Sequence, residues 1–313
     1  MLAMPSSRML FGIIPWYSAL IVTGICLALF IASREEKRLQ LPQDTVVDLA
    51  LWVIPFGVIG ARLYYVVFAW DTFAPNPVSI LYIWQGGLAI YGGIIGGLLA
   101  VLLFSRKRGI PVGQLTDIIA PGLALAQAIG RWGNYFNMEA YGITVTAPAW
   151  QFFPAAVLIP GPAGNTWHLA TFFYESMWNL IVFTALMLTR KRMRRTGDAT
   201  LWYFLLYGAG RLIIEGLRTD SLYAGSTLRI SQVLAICICI CVLVVFLLRC
   251  VRQHGLSKLF RLRSVPMLVC IAGCIGLSLY LAQAGFVGIE AATLQCAAFS
   301  LTTIISSITI YTA

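Results

Sequence analysis

Charge is what this chain has least of. Of its 313 residues 11% are Asp, Glu, Lys or Arg, and only two are histidine. A soluble domain carries roughly 25% charged residues, so this composition excludes an ordinary soluble fold. His254 lies in a basic loop and His168 in a polar segment, where a solvated surface role suits each. Catalytic signatures are missing as well. There is no Ser-His-Asp or Cys-His arrangement, no HExxH, no P-loop and no dinucleotide fingerprint. The eight cysteines lie inside apolar runs or at their ends, without metal-ligand spacing to a histidine. Cys237, Cys239 and Cys241 point in different directions around a helix and cannot form one ligand face. They read as small apolar filler, and neither metal nor cofactor is expected.

Apolar length is what the chain has in excess. It is 59% hydrophobic, with a mean hydropathy of +0.84. Runs of bilayer-spanning length, roughly 17–25 residues, recur near 11–33, 46–69, 84–104, 114–130, 169–189, 199–217, 229–249, 265–284 and 288–311. The expected fold is an all-α polytopic membrane bundle. The first run is long, lacks a small-residue cleavage site and is followed at once by basic residues. It reads as a retained span rather than a signal peptide.

The basic residues carry a topology signal. Sixteen of the 22 lysines and arginines fall in the loops after spans one, three, five and seven. By the positive-inside rule those loops face the cytoplasm. The N-terminus is then outside and the C-terminus inside. The net charge of +10 therefore points to topology and anionic headgroups rather than to nucleic acid.

Six arginines break the pattern: Arg8, Arg62, Arg131, Arg211, Arg218 and Arg229. An arginine at a span centre costs about 2.5–3.5 kcal/mol on insertion scales. Such a residue snorkels, pairs, or lines a polar cavity. Four of the six sit in polar clusters: GARLYY (60–65), GRWGNYFNMEAYG (130–142) and GAGRLIIEGLRTD (208–220). In the second, Gly130, Gly133 and Gly142 suggest a helix end opening into a loop. Backbone N–H groups freed there, with Arg131, would bind an anion. Asn134 and Asn137 offer donors and acceptors for hydroxyls or ester carbonyls, and Glu139 could orient an arginine or take a proton. In the third, Tyr207, Arg211, Glu215 and Arg218 recur as one stripe. A Glu215 pair with Arg211 or Arg218 would leave one guanidinium to fork onto a phosphate, and Glu175 is a candidate counter-charge. WQGGLAIYGGIIGGLLA (84–100) reads either as close helix packing or as space beside Tyr91.

The run GRWGNYFNMEAYG resembles the signature of the prolipoprotein diacylglyceryl transferases, G-R-x-G-N-[FY]-x-N-x-E-x-[FY]-G, at every fixed position. PWYSALIVTG (15–24), GARLYYV (60–66), IWQGGLAIYGGIIGG (83–97), TFFYESMWNL (171–180) and YGAGRLIIEGLRTD (207–220) continue it in order. The resemblance covers about residues 10–250. It implies a seven-helix core over 1–253, with an outer segment near 131–168. Residues 254–313 form a two-helix membrane addition that the family does not explain.

The family's activity is transfer of the diacylglyceryl group of phosphatidylglycerol to the lipobox cysteine of a preprolipoprotein, in the bacterial cytoplasmic membrane. A thioether forms and glycerol phosphate leaves. The substrate supplies the nucleophile, which accounts for the missing nucleophile motif. The resemblance implies Arg131 and Arg211 as stabilisers of the leaving phosphate. Asn134, Asn137, Gly142, Tyr207, Arg62, Tyr17, Gly92 and Gly93 are implied as substrate contacts. Tyr91 stands where some relatives have histidine, and Ala170 where relatives often have proline. The thiol proton has three possible destinations: Tyr91, a carboxylate such as Glu139 or Glu215, or no protein group. A transporter or channel for an anionic solute would use the same arginines, but no inverted repeat is visible. An inactive lipid-binding relative is the third reading.

Overall fold

The structure is a computed structural model. It describes residues 8–161, 164–193, 195–220, 223–224, 228–261 and 289–312. Eight long helices run through these residues: α1 (Trp16–Arg38), α2 (Thr45–Phe68), α3 (Ile90–Arg108), α4 (Val112–Asn137), α5 (Thr171–Thr189), α6 (Asp198–Glu215), α7 (Ile230–Arg261) and α8 (Ile289–Thr312). They coincide with every expected span but the one at 265–284, which lies outside the described residues. Six of them, α1 to α5 and α7, are long and apolar enough to cross a membrane. α6 has the length, but carries Asp198, Arg211 and Glu215. The protein is thus an all-α polytopic membrane protein. Large apolar side chains such as Val22, Leu51, Ile59, Ile94, Ile95 and Leu98 are exposed along the helices. That is the surface expected where lipid is the solvent and every backbone group is satisfied within a helix.

The helices fall into two compact units. One comprises residues 25–123 and 191–200. Its core is Ala32, Val46, Leu49, Val101, Phe104, Ile110, Leu115 and Ile118. α2 and α3 pack closely through small residues. A Cβ at Gly92 would collide with the carbonyl of Gly60, and one at Gly96 with that of Phe56. The glycines let two backbones approach, the close-packing alternative for this span. Gly92, expected to touch substrate, instead has its free face filled by α2. Gly93 sits at ordinary contact distance from Gly57 and Ala61.

Helix α3 starts at Ile90, later than the expected 84. Gly86 (φ 90°) and Gly87 (φ 76°) have left-handed backbone and belong to the preceding loop. At the other end of the unit, Asp117 accepts hydrogen bonds from the amides of Gly197 (2.6 Å) and Thr200 (2.9 Å) and from the Thr200 hydroxyl (2.8 Å). These fill orphan donors at the start of α6.

The second unit comprises residues 1–24, 124–190 and 201–313, of which those named above are described. Helices α6, α7 and α8 share a core of Leu205, Leu212, Ala235, Cys239, Val242, Leu243, Phe246, Cys250, Phe299 and Ile310. Trp202, Phe246 and Tyr311 close it with ring centroids 5.3–5.7 Å apart. Between α4 and α5 lies an antiparallel hairpin, β1 (Ala156–Gly161) and β2 (Gly164–Leu169), paired from Ala156–Leu169 to Gly161–Gly164. Val157, Ala170 and Phe172 pack with Trp132, Tyr135, Phe153, Ile159 and Phe173 against the end of α4. The expected boundary at residue 253 falls inside α7.

Candidate active site

The polar cluster assembles in the second unit, at the end of α4, the start of α5 and the end of α6. Helix α4 does not break at Gly130 as expected. It runs to Asn137; Gly133 leaves room for a neighbouring side chain, whereas a Cβ at Gly130 would meet only open space. Tyr17 of α1 lies over Gly133, where a Cβ would collide with its ring. Trp16 stacks on Phe136 at 4.7 Å. Tyr17 thereby positions the signature helix from outside it.

This corrects one expectation. The end of a helix's C-terminus presents carbonyls, not amides. Three of the amides that follow are also taken: Met138 donates to Tyr135 O (3.1 Å), Glu139 to Asn134 O (3.0 Å) and Gly142 to Leu169 O (2.9 Å). These three amides are not available to an anion, whereas the guanidiniums nearby are.

Three guanidiniums meet one carboxylate. Glu175, 5% exposed in the second turn of α5, is the hub. Its Oε2 lies 2.7 Å from Arg131 Nη2. Its Oε1 accepts from Arg211 Nη1 (3.0 Å) and Arg218 Nη1 (3.1 Å). Arg211 also pairs with Glu215 at 2.7 Å. Arg218 forks onto Asp220 through Nε (2.9 Å) and Nη2 (2.7 Å). Burial opposes ionisation of Asp220, but the hydrogen bonds from Arg218 outweigh it and hold the carboxyl below its usual range. Burial likewise opposes the charge on Arg218, yet Asp220 and Glu175 hold the guanidinium above its ordinary value. Three cations and three carboxylates thus balance locally.

Backbone geometry brings Arg218 in. α6 ends at Glu215, so Arg218 does not continue the expected helical stripe. Instead residues 141–143 run beside 217–219: Ile143 donates to Leu217 O (3.0 Å) and Gly142 bridges Arg218. A Cβ at Gly142 would meet Leu169, Leu217 O and Thr171 within 2.9 Å. Gly142 is therefore required by the crossing. Arg229 Nη1 and Gln232 Nε2 donate to the carbonyls of Glu215 and Leu212 at the end of α6. That is the favoured end of the helix dipole for a cation.

Other expected residues are placed as follows. Asn137 donates to Glu139 at 3.1 Å, and Glu139 is exposed. Among the described residues the Asn134 amide makes no side-chain hydrogen bond, one turn from Arg131. Tyr207 stacks on Tyr203 at 5.7 Å and lines a small cavity with Glu175, Trp178, Asn179, Gly210, Arg211 and Ile214. Both ring nitrogens of His168 are engaged, by Gly142 O and Thr166 Oγ1 at 2.9 Å each, so it serves the hairpin. Glu175 was legible only as a possible counter-charge; nothing in FYESMWN announces that three arginines converge on it.

Arg62 and Tyr91 belong to the other unit. Arg62, 6% exposed, donates to five carbonyls: Ile80 (2.8 Å), Gly86 (2.6 Å), Gly87 (2.9 Å), Ser79 (2.8 Å) and Tyr82 (3.5 Å). An arginine has five N–H donors, and all are taken. The expected substrate contact at Arg62 is replaced by a role in shaping the loop before α3. Tyr91 stands in the first turn of α3 with Tyr64 as ring neighbour, centroids 6.3 Å apart. No guanidinium hydrogen-bonds its phenol among the described residues.

Comparison with known proteins adds independent information. A family model described as prolipoprotein diacylglyceryl transferase matches residues 9–248. The phosphatidylglycerol–prolipoprotein diacylglyceryl transferase of Enterococcus faecalis is 45% identical over 245 residues, covering 77% of this chain and 88% of its own. Those of Limosilactobacillus reuteri and Bacillus cereus are 44% and 42% identical over 240 and 236 residues. Each alignment covers 75% of this chain and 87% of theirs.

Proposed function

The chain belongs to the prolipoprotein diacylglyceryl transferase family, and from that premise we propose how its arginine cluster serves the reaction. The enzyme transfers the diacylglyceryl group of phosphatidylglycerol to a prolipoprotein. The acceptor is the lipobox cysteine thiol. Its sulfur attacks the glyceryl carbon bearing the phosphate. A C–S bond forms, the C–O bond to phosphate breaks, and glycerol phosphate departs with the electron pair. Charge grows on the phosphate oxygens as the diester becomes a monoester.

One observation carries the assignment: Arg131 and Arg211, from different helices, share Glu175. A carboxylate and a phosphate compete for the same guanidinium fork. Arriving phosphate takes donors from Glu175, while Arg218 keeps that carboxylate partly neutralised. The donors are already oriented, so charge developing in the transition state meets fixed dipoles rather than reorganising solvent. Asn134 and Tyr207 border the same arginines and offer donors to the lipid's ester and headgroup oxygens. The thiol is only a few per cent thiolate at neutral pH. Glu215 is occupied by Arg211, and among the described residues no guanidinium hydrogen-bonds the Tyr91 phenol. Glu139 is exposed and, among the described residues, its carboxylate is held by the Asn137 amide alone, so it is the group we assign to accept the thiol proton and pass it to water.

Sixteen basic residues gathered at alternate connections and the helix ends beside them support a bacterial cytoplasmic-membrane location with the N-terminus outside and the cluster on the outer side. Incubation of the purified protein with labelled phosphatidylglycerol and a lipobox peptide tests the function. Label is expected on the cysteine peptide and not on its serine counterpart. An unmodified peptide would favour the anion-transporter reading.

A further inference from the structure

We propose that Asn179 is a specificity residue for the lipid headgroup: its amide oxygen accepts a hydrogen bond from a hydroxyl of the glycerol headgroup. This rests on the arginine cluster being the phosphate site. The cavity lined by Glu175, Trp178, Asn179, Tyr207, Gly210 and Arg211 has a volume of about 10 Å³, room for one oxygen. Asn179 Oδ1 is buried, the residue being 2% exposed, and has no hydrogen-bond partner among the described residues. Buried acceptors are nearly always paired, and an exception calls for an explanation.

Two neighbouring donors are engaged elsewhere. Trp178 Nε1 donates to Leu206 O at 2.8 Å, and the Arg211 guanidinium holds Glu175 and Glu215. Gly210 is necessary beside the cavity, because a Cβ there would collide with the Trp178 indole. An oxygen-sized recess lined by Asn179, whose Oδ1 has no partner among the described residues, therefore adjoins a guanidinium assigned to phosphate. In a phosphatidylglycerol headgroup the first hydroxyl carbon lies two carbons along from the phosphate ester oxygen, so one hydroxyl reaches the recess while phosphate sits on Arg211. An ethanolamine ammonium would face Arg211 with Glu175 and Glu215 already neutralised. A choline headgroup has no donor.

The test uses two lipids with identical acyl chains, phosphatidylglycerol and phosphatidylpropanol, whose headgroup lacks both hydroxyls. Transfer to a lipobox peptide is measured in nanodiscs for the parent and for Asn179→Leu, which keeps similar volume but removes the acceptor. The parent is expected to prefer phosphatidylglycerol by about tenfold or more in kcat/KM, since a site built for a hydroxyl rejects the analogue lacking it. Asn179→Leu is expected to lose that factor on phosphatidylglycerol alone, so the preference falls to about one. Equal loss on both lipids would show a structural role and overturn the proposal. A parent without preference would also overturn it, and needs no variant, so misfolding of Asn179→Leu leaves the question decidable. Failure here while Arg211→Ala still abolishes transfer would leave the phosphate site standing.

Discussion

Two arginines of this protein, Arg62 buried and Arg211 half-buried, solve the same problem in opposite ways. Arg62 directs every N–H at a backbone carbonyl and meets no carboxylate among its hydrogen bonds. Arg211 directs its donors at Glu175 and Glu215. Carbonyls of a loop are fixed by the chain and cannot be exchanged for a ligand without unfolding that loop. Carboxylates shared among several guanidiniums can yield one partner and keep another. The first arrangement builds structure, and the second leaves a site for a competing anion. Counting arginines in apolar sequence does not separate the two cases; partner chemistry does.

Breaking the hub should have the largest effect. Glu175→Ala leaves three guanidiniums without their common partner, and an uncompensated buried charge costs about 3–5 kcal/mol. A large drop in the detergent-solubilised melting temperature is expected, together with loss of transfer. A thermally unchanged Glu175→Ala would mean that the arginines do not depend on it.

Next comes Arg62→Lys. Three donors on a point charge cannot span five carbonyls, and carbonyls left unpaired cost about 1–3 kcal/mol each when buried. Stability should fall while the KM for phosphatidylglycerol of the folded fraction stays the same. A raised KM with unchanged stability would erase the distinction between the two arginine environments.

The proton step gives a smaller contrast. Glu139→Gln should slow transfer by about a hundredfold, in the range of general acid–base contributions. Tyr91→Phe should stay within about threefold of the parent, with an unshifted pH–rate profile. The reverse outcome would move the base to the phenol.

Asp220→Asn should have the smallest effect, a few-fold loss of rate, because Arg218 retains Glu175. The Asp220 carboxyl lies below its usual pKa of about 3.9. Its contribution is therefore complete above that value and is lost only as pH falls through the lower folded value. Between pH 5 and 9 the Asp220→Asn effect should be constant; a dependence inside that window would contradict the Arg218 fork.

The sequence made the bundle legible because apolar length and basic loops are local signals. Its reading of the site was less complete for a physical reason. Glu175 joins Arg131, Arg211 and Arg218 across separations of 36 to 44 residues, which no periodicity encodes. Glycine is ambiguous for a related reason. Gly92 and Gly96 serve helix contact, Gly86 and Gly87 serve a left-handed loop, and one run of sequence contains both. The helix end expected near Gly130 comes later, at Asn137, where the last turn of α4 presents carbonyls. Arg62 misled because its acceptors lie 17 to 25 residues later in a loop.

The central claim is that Arg131 and Arg211 together hold the lipid phosphate as its ester bond breaks. Transfer from phosphatidylglycerol to a lipobox peptide by Arg131→Ala and Arg211→Ala, each shown to be folded by its melting temperature, tests it most directly. Each is expected to lose about a hundredfold to a thousandfold in kcat, the range seen when one transition-state donor is removed. Rates within a few-fold of the parent in either folded variant would contradict the account.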